Sequence, residues 1–183
     1  VWLSDGDIKI LAEKGVNISH NPVSNMKLAS GIAPITKLLQ SGSNVCLGTD
    51  GCASNNNLDM FEEMKIAALL QKINIMDPTV LPAKEVLRMA TVNGAKALGI
   101  NAGVIREGAL ADIIIVDKNK AHMRPFYDAA SHLVYSANGQ DVMTNIVNGK
   151  LLMDNYEVLC MDELKVIEQA SMVAENLVQR VNE

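Results

Sequence analysis

Aromatic side chains are nearly missing from this chain: one Trp, three Tyr and two Phe among 183 residues. Surfaces that stack unpaired bases need such rings, so single-stranded nucleic acid is a poor ligand class. A clustered Lys/Arg patch is also missing. With 16 basic against 21 acidic residues the formal charge is −5, which argues against polyanion binding as the main task. The three cysteines, Cys46, Cys52 and Cys160, are odd in number and form no C-x-x-C pair. That argues against a disulfide framework or a structural zinc finger and fits a reducing cytoplasm. No apolar run reaches transmembrane length and no signal peptide is visible. Glycine-rich phosphate loops, a calcium hand and a G-x-S-x-G elbow are all absent. The chain opens on Val1-Trp2-Leu3 without an initiator Met and runs straight into patterned sequence. We read that opening as an internal cut.

The residues present are aliphatic. Hydrophobic content is 49% and charged content 20%, which suits a well-buried α/β class of one or two domains. Ser4-x-x-Asp7 has the spacing of a capping box, and Ile8, Leu11 and Ala12 follow at helical spacing up to Gly15. Val16 to Ser19 alternates as a strand ending at His20-Asn21-Pro22, after which a loop is expected. Pro34 to Leu39 reads as a short helix, and Val45-Cys46-Leu47 as a buried strand. Helix and strand therefore alternate, the signature of a parallel sheet wrapped by helices, where ligands gather at the carboxyl ends of strands. His20 and Asp50 both lie at such ends.

Helices are predicted from Asp59 to Ile73 and from Lys84 to Leu98, the latter pausing at Asn93-Gly94. Beyond Gly99 the character changes. Asp112 to Asp117 is a β-branched strand bounded by acids, and Asn148-Gly149 marks a hairpin between Asn145–Val147 and Lys150–Met153. Leu164, Ile167, Ala170, Ala174, Leu177, Val178 and Val181 form one apolar stripe on a terminal helix. It is expected to dock on its own domain, with dimer packing as the alternative. The expected division is 1–102, 103–160 and 161–183.

Asp50 is the residue on which chemistry turns. An Asp in T-D-G can simply cap a turn, but this one follows a wholly apolar strand and precedes a loop of small and amide residues. Carboxylate oxygens ligate zinc well beside imidazole, and His20 is the obvious imidazole to pair with it. Two ligands fall short of the three a catalytic zinc site uses. His122 reads as exposed loop and His132 as helical, and Cys52 has no His-bearing motif pointing at it. A complete metal site cannot be assembled from these residues.

The segment His20-Asn21-Pro22-Val23-Ser24-Asn25-Met26-Lys27-Leu28-Ala29-Ser30-Gly31-Ile32-Ala33-Pro34 resembles the strand-seven loop of the amidohydrolase superfamily. Leu47-Gly48-Thr49-Asp50-Gly51-Cys52-Ala53-Ser54-Asn55-Asn56-Asn57-Leu58-Asp59 is similar to its strand-eight motif. Ala90 to Gly99, Gly108 to Ile113 and Val147 to Lys150 continue the likeness. The nearest subgroup is the 5-methylthioadenosine/S-adenosylhomocysteine deaminases. The resemblance implies the C-terminal part of a (β/α)8 metal-dependent hydrolase barrel with part of a small β-sandwich domain. It implies one divalent ion, zinc by preference, and hydrolysis of adenosine analogues to inosine analogues and ammonia. Asp50 matches the last metal ligand, which also takes the proton of the attacking water and meets the substrate. Ser54 matches a pocket-lining position, and His20 matches no ligand and would shape the strand-seven loop. The remaining ligands would lie in an upstream part of the barrel, the expected partner of this chain, with self-association as a further expectation. The alternatives are a triazine or guanine-type hydrolase and a non-catalytic pairing unit.

Overall fold

The computed structural model describes residues 1–182. Two compact units divide the chain: Val1–Leu110 with Asp117–Asp141, and Ala111–Val116 with the chain from Val142.

In the first unit, helix α1 (Asp5–Glu13) begins at a true capping box. The Ser4 amide donates to Asp7 Oδ2 at 2.8 Å and the Asp7 amide donates to Ser4 Oγ at 3.2 Å. Both satisfy amides that a helix start leaves free. Strands β1 (Asn17–His20) and β2 (Asn44–Leu47) pair in parallel, Asn17 opposite Asn44 and His20 opposite Leu47. Val45, Cys46 and Leu47 are buried, as a strand covered on both faces requires.

The segment after His20 is a helix where a loop was expected: α2 runs Pro22–Lys27. Pro22 sits in its first turn, where its missing N–H costs nothing and its fixed φ suits the helix. Helix α3 (Ile35–Gln40) leads into β2, burying Ile35 and Leu38. Helix α4 (Met60–Ile75) is capped by Asp59, whose carboxylate accepts from the Phe61 amide at 2.8 Å.

Helices α5 (Ala83–Ala90) and α6 (Val92–Leu98) break at Thr91, not at Asn93-Gly94. Asn93 is occupied elsewhere. Its buried side chain donates to the Val45 carbonyl at 2.8 Å, satisfying a β2 acceptor from within α6. Helix α7 (Ala129–Tyr135) packs with α4 and α5, burying Ala130 and Val134. Nearby, the buried carboxylate of Asp141 takes His122 Nε2 at 2.8 Å, Lys120 Nζ at 3.1 Å and the Asn138 amide at 2.9 Å. His122 is thus partly exposed and tied to an acid. Residues 117–141 therefore belong with the helices, whereas the sequence boundary at 102/103 assigns them to the β-rich region.

The second unit is an antiparallel sheet in the order β3 (Ile113–Val116), β4 (Val142–Val147), β5 (Lys150–Asp154), β6 (Glu157–Val158). Asn148 and Gly149 both have positive φ, as the Asn-Gly hairpin signal demands. Ile114, Ile115, Val147 and Leu151 remain substantially exposed, so the sheet does not bury both its faces. Helix α8 (Glu163–Asn182) forms as expected but is not docked: every residue from Glu163 to Val181 is exposed. Its apolar stripe draws the chain into a helix without meeting a surface among the described residues.

Gly103 holds φ +80, and a Cβ there would lie 2.8 Å from the Thr91 carbonyl oxygen. Both the conformation and the backbone contact exclude a side chain. Gly103→Ala should cost about 1–3 kcal/mol, read as a lowered denaturation midpoint with unchanged slope.

Candidate functional site

Parallel register ends β1 and β2 at one level, so the segments that follow them leave side by side. Gly48 makes the first turn tight. A Cβ on it would sit 2.8 Å from both Ser19 Oγ and Asn21 Nδ2. Asp50 then adopts φ +62, the left-handed region that Asp tolerates better than most residues.

Its carboxylate is exposed and surrounded by donors. Ser24 Oγ, from α2, donates to Oδ2 at 2.7 Å, and Ser54 Oγ donates to the same oxygen at 2.8 Å. The Gly51 amide donates to Oδ1 at 2.8 Å. The Ser24 hydroxyl first, then Ser54 and the Gly51 amide, hold the carboxyl below the usual carboxylate range. Asp50 is therefore an ionised, oriented carboxylate facing solvent. Ser54, matched by resemblance to a pocket wall, spends its hydroxyl on Asp50 here.

Beneath this loop lies a second acid that the motif reading missed. Glu63 of α4 is fully buried. Its Oε1 accepts from Asn55 Nδ2 at 2.5 Å and its Oε2 from the Val23 amide at 3.4 Å. Asn55 Nδ2 also donates to the Thr49 carbonyl at 3.0 Å. Burial pushes the Glu63 carboxyl up to about 7. The signal was present in the sequence: Glu63 stands four residues before Ala67 and three after Met60, on the stripe otherwise filled by core residues. Lys27 braces the same loop, donating to the Ala53 carbonyl at 3.1 Å and to Asn56 Oδ1 at 2.6 Å.

His20 does not join Asp50. It is buried, and neither ring nitrogen has a hydrogen-bond partner among the described residues. Burial pulls its pKa down to about 4, so the ring is neutral. Neither ring nitrogen is hydrogen-bonded to Asp50. His132 is engaged by the carbonyls of Asp128 and Pro125. Among the described residues no three His, Cys, Asp or Glu side chains converge on a metal position. Asp50 alone, a single exposed carboxylate, falls short of the three protein ligands that a catalytic zinc site uses.

A family model described as the amidohydrolase family matches residues 1–152. The chain belongs to the amidohydrolase family. The 5'-deoxyadenosine deaminase of Methanococcoides burtonii is 68% identical over 182 residues, all of this chain and 42% of that protein. The 5-methylthioadenosine/S-adenosylhomocysteine deaminase of Thermococcus onnurineus is 63% identical over 158 residues, 86% of this chain and 37% of its own length. The crystal structure of an adenosine deaminase from Xanthomonas campestris with bound zinc superposes with TM-score 0.94 at 38% identity. It is matched over 97% of this chain and 41% of that one. This amidohydrolase chain thus spans about two fifths of the relatives it matches. The fold class is accordingly the C-terminal part of the amidohydrolase barrel with part of its β-sandwich. No helix among the described residues is long and apolar enough to cross a membrane.

His20 and Glu63 set opposed pH dependences. The His20 pKa falls from 6.5 to about 4 on folding. The unfolded chain then binds more protons in that window, and stability is lost as pH falls through it. Glu63 rises from 4.5 to about 7, so its contribution is present at low pH and is lost as pH rises through that window. Where the windows overlap the slopes oppose each other. His20→Leu removes one slope and two unpaired nitrogens. Urea midpoints should show a gain on the order of 1–3 kcal/mol and a stability that falls as pH rises across the overlap. A pH profile like that of the parent would exclude His20 as the titrating group.

Proposed function

We propose that this chain carries the strand-seven and strand-eight portion of a metal-dependent aminohydrolase acting on adenosine analogues. The candidates are 5'-deoxyadenosine, 5-methylthioadenosine and S-adenosylhomocysteine, converted to the matching inosine analogues and ammonia. The observation that carries this reading is Asp50: an ionised carboxylate at a strand end, oriented by three donors. Identity to deaminases of such nucleosides supports the substrate class.

The reaction adds water across the amino-bearing ring carbon, forming one C–O bond and breaking one C–N bond. A divalent ion, zinc by analogy with the Xanthomonas structure, would supply Lewis acidity, with Asp50 as one of its ligands. Asp50 takes a proton from the attacking water and returns it to the departing amine, so that ammonia leaves neutral. The donors on its oxygens keep it ionised until it accepts that proton. Ser24 and Ser54 both approach Oδ2, which leaves a lone pair of Oδ1 open beside the Gly51 amide. Ser54 lies at the mouth of the same loop, where a nucleoside would meet it. The remaining ligands would come from an upstream portion of the barrel, the partner that this reading requires. Three free cysteines, two of them exposed, support a reducing compartment such as the cytoplasm for the enzyme.

Asp50→Asn keeps the shape and removes the base. In the intact enzyme containing this chain, ammonia release from 5'-deoxyadenosine should fall by ~10²–10⁴-fold, with folding unaffected. Removal of metal by a chelator should abolish turnover, and readdition of zinc should restore it. Retention of full activity in Asp50→Asn would sink the assignment.

A further inference from the structure

Glu63 presents an energetic puzzle. A fully buried carboxylate is costly, and an apolar residue at the same helical position would cost nothing in desolvation. Its neighbours along α4, including Met64, Ala67 and Ala68, follow that simpler course. Both Glu63 oxygens are instead spent on the backbone supports of Asp50, from two directions.

The first arm runs through Asn55. One N–H of its amide goes to Glu63 Oε1 and the other to the Thr49 carbonyl, the peptide immediately before Asp50. An asparagine amide has two such hydrogens, so both are committed and the side chain cannot flip. The Asn55 and Ser54 amides close the turn on the Gly51 carbonyl at 2.9 and 3.0 Å. The left-handed φ of Asp50 is thereby held from both sides. The second arm runs through Val23, whose amide points at Oε2, and it positions the first turn of α2. That turn carries Ser24, the donor 2.7 Å from Asp50 Oδ2.

We propose that Glu63 is a positioning residue for Asp50, a buried two-armed acceptor that locks the turn carrying Asp50 and the helix carrying its Ser24 donor into one geometry. A carboxylate can accept at both oxygens at once. Glutamine offers one acceptor and one donor, and so meets one of the two arms donor to donor. The inference rests on the deaminase reading for its catalytic consequence and on the geometry alone for its structural one.

The test compares Glu63→Gln, Asn55→Ala and the double variant with the parent in the intact enzyme. Turnover of 5'-deoxyadenosine and amide hydrogen exchange by peptide are measured on the same preparations. Glu63→Gln should lower kcat by about 10–100-fold with KM changed less than about threefold, the loss typical when a supporting partner of a ligand is removed. Peptides covering residues 49–55 and 22–28 should exchange about tenfold faster, while those of β2 and the body of α4 keep the parent rate. Asn55→Ala should reproduce the faster exchange at 49–55 but not at 22–28. The double variant should be no slower in turnover than Glu63→Gln alone, because the first arm acts as a chain. A uniform rise in exchange over the whole first unit would mark Glu63 as merely structural and overturn the proposal. So would an unchanged kcat in both single variants. If Glu63→Gln does not fold, Asn55→Ala decides, and parental kcat and exchange there reject the clamp. If the parent releases no ammonia, the functional reading fails, and the exchange pattern still accepts or rejects the clamp.

Discussion

Pairing of Asn17–His20 with Asn44–Leu47 in parallel ends both strands at one level, and the whole site depends on that register. A slip of one residue would turn Val45 and Leu47 to the opposite face and part the two loops. The register is protected on several sides. Asn93 in α6 satisfies the Val45 carbonyl, Asn44 bridges to Asn17 at 2.8 Å, and the Gly48 amide donates to the His20 carbonyl at 3.0 Å. Gly48 then admits the Ser19 and Asn21 side chains where a Cβ could not fit. Asp50 inherits its position from these contacts before any of its own donors act.

Two buried polar groups lie close to this register and resolve their burial differently. Glu63 has donors at both oxygens and remains strained toward neutrality by its surroundings. His20 has no hydrogen-bond partner among the described residues, and burial favours its neutral form. Burial disfavours the charged form of both groups, and only at Glu63 do donors aimed at the side chain offset part of that cost. The sequence pairing of His20 with Asp50 does not occur: the ring is buried, and the Ser24 and Ser54 hydroxyls stand at the carboxylate instead.

Features with a local cause could be read directly from the sequence. The Ser4–Asp7 box, the aliphatic β2 and the Asn148-Gly149 hairpin each carry their own physical reason within a few residues. Readings failed where a distant partner decided the outcome. Asn93-Gly94 looks like a pause in a helix until the Val45 carbonyl, 48 residues away, claims the asparagine. Pro22 looks like a loop residue until it is counted as a first helical position. The stripe on α8 implies a surface, yet periodicity cannot say which one, and the described residues supply none. At the site, Asp50 was visible because an acid after an apolar strand is conspicuous. Glu63 was hidden among the many exposed acids that helices carry, although its place on the buried stripe of α4 marks it.

Resemblance and geometry contribute different things to Asp50. Resemblance names it as a ligand and base, a role that needs partners from beyond these residues. Geometry shows something independent of that role: an exposed carboxylate, left-handed backbone, three donors and a buried acid beneath. A turn-capping Asp needs only one backbone amide donor close after it in the chain. Two serines from separate elements and a desolvated glutamate cost order and burial that a simple cap does not require. That excess of support is the physical reason to regard Asp50 as built for a task and not as a residue that merely closes a turn.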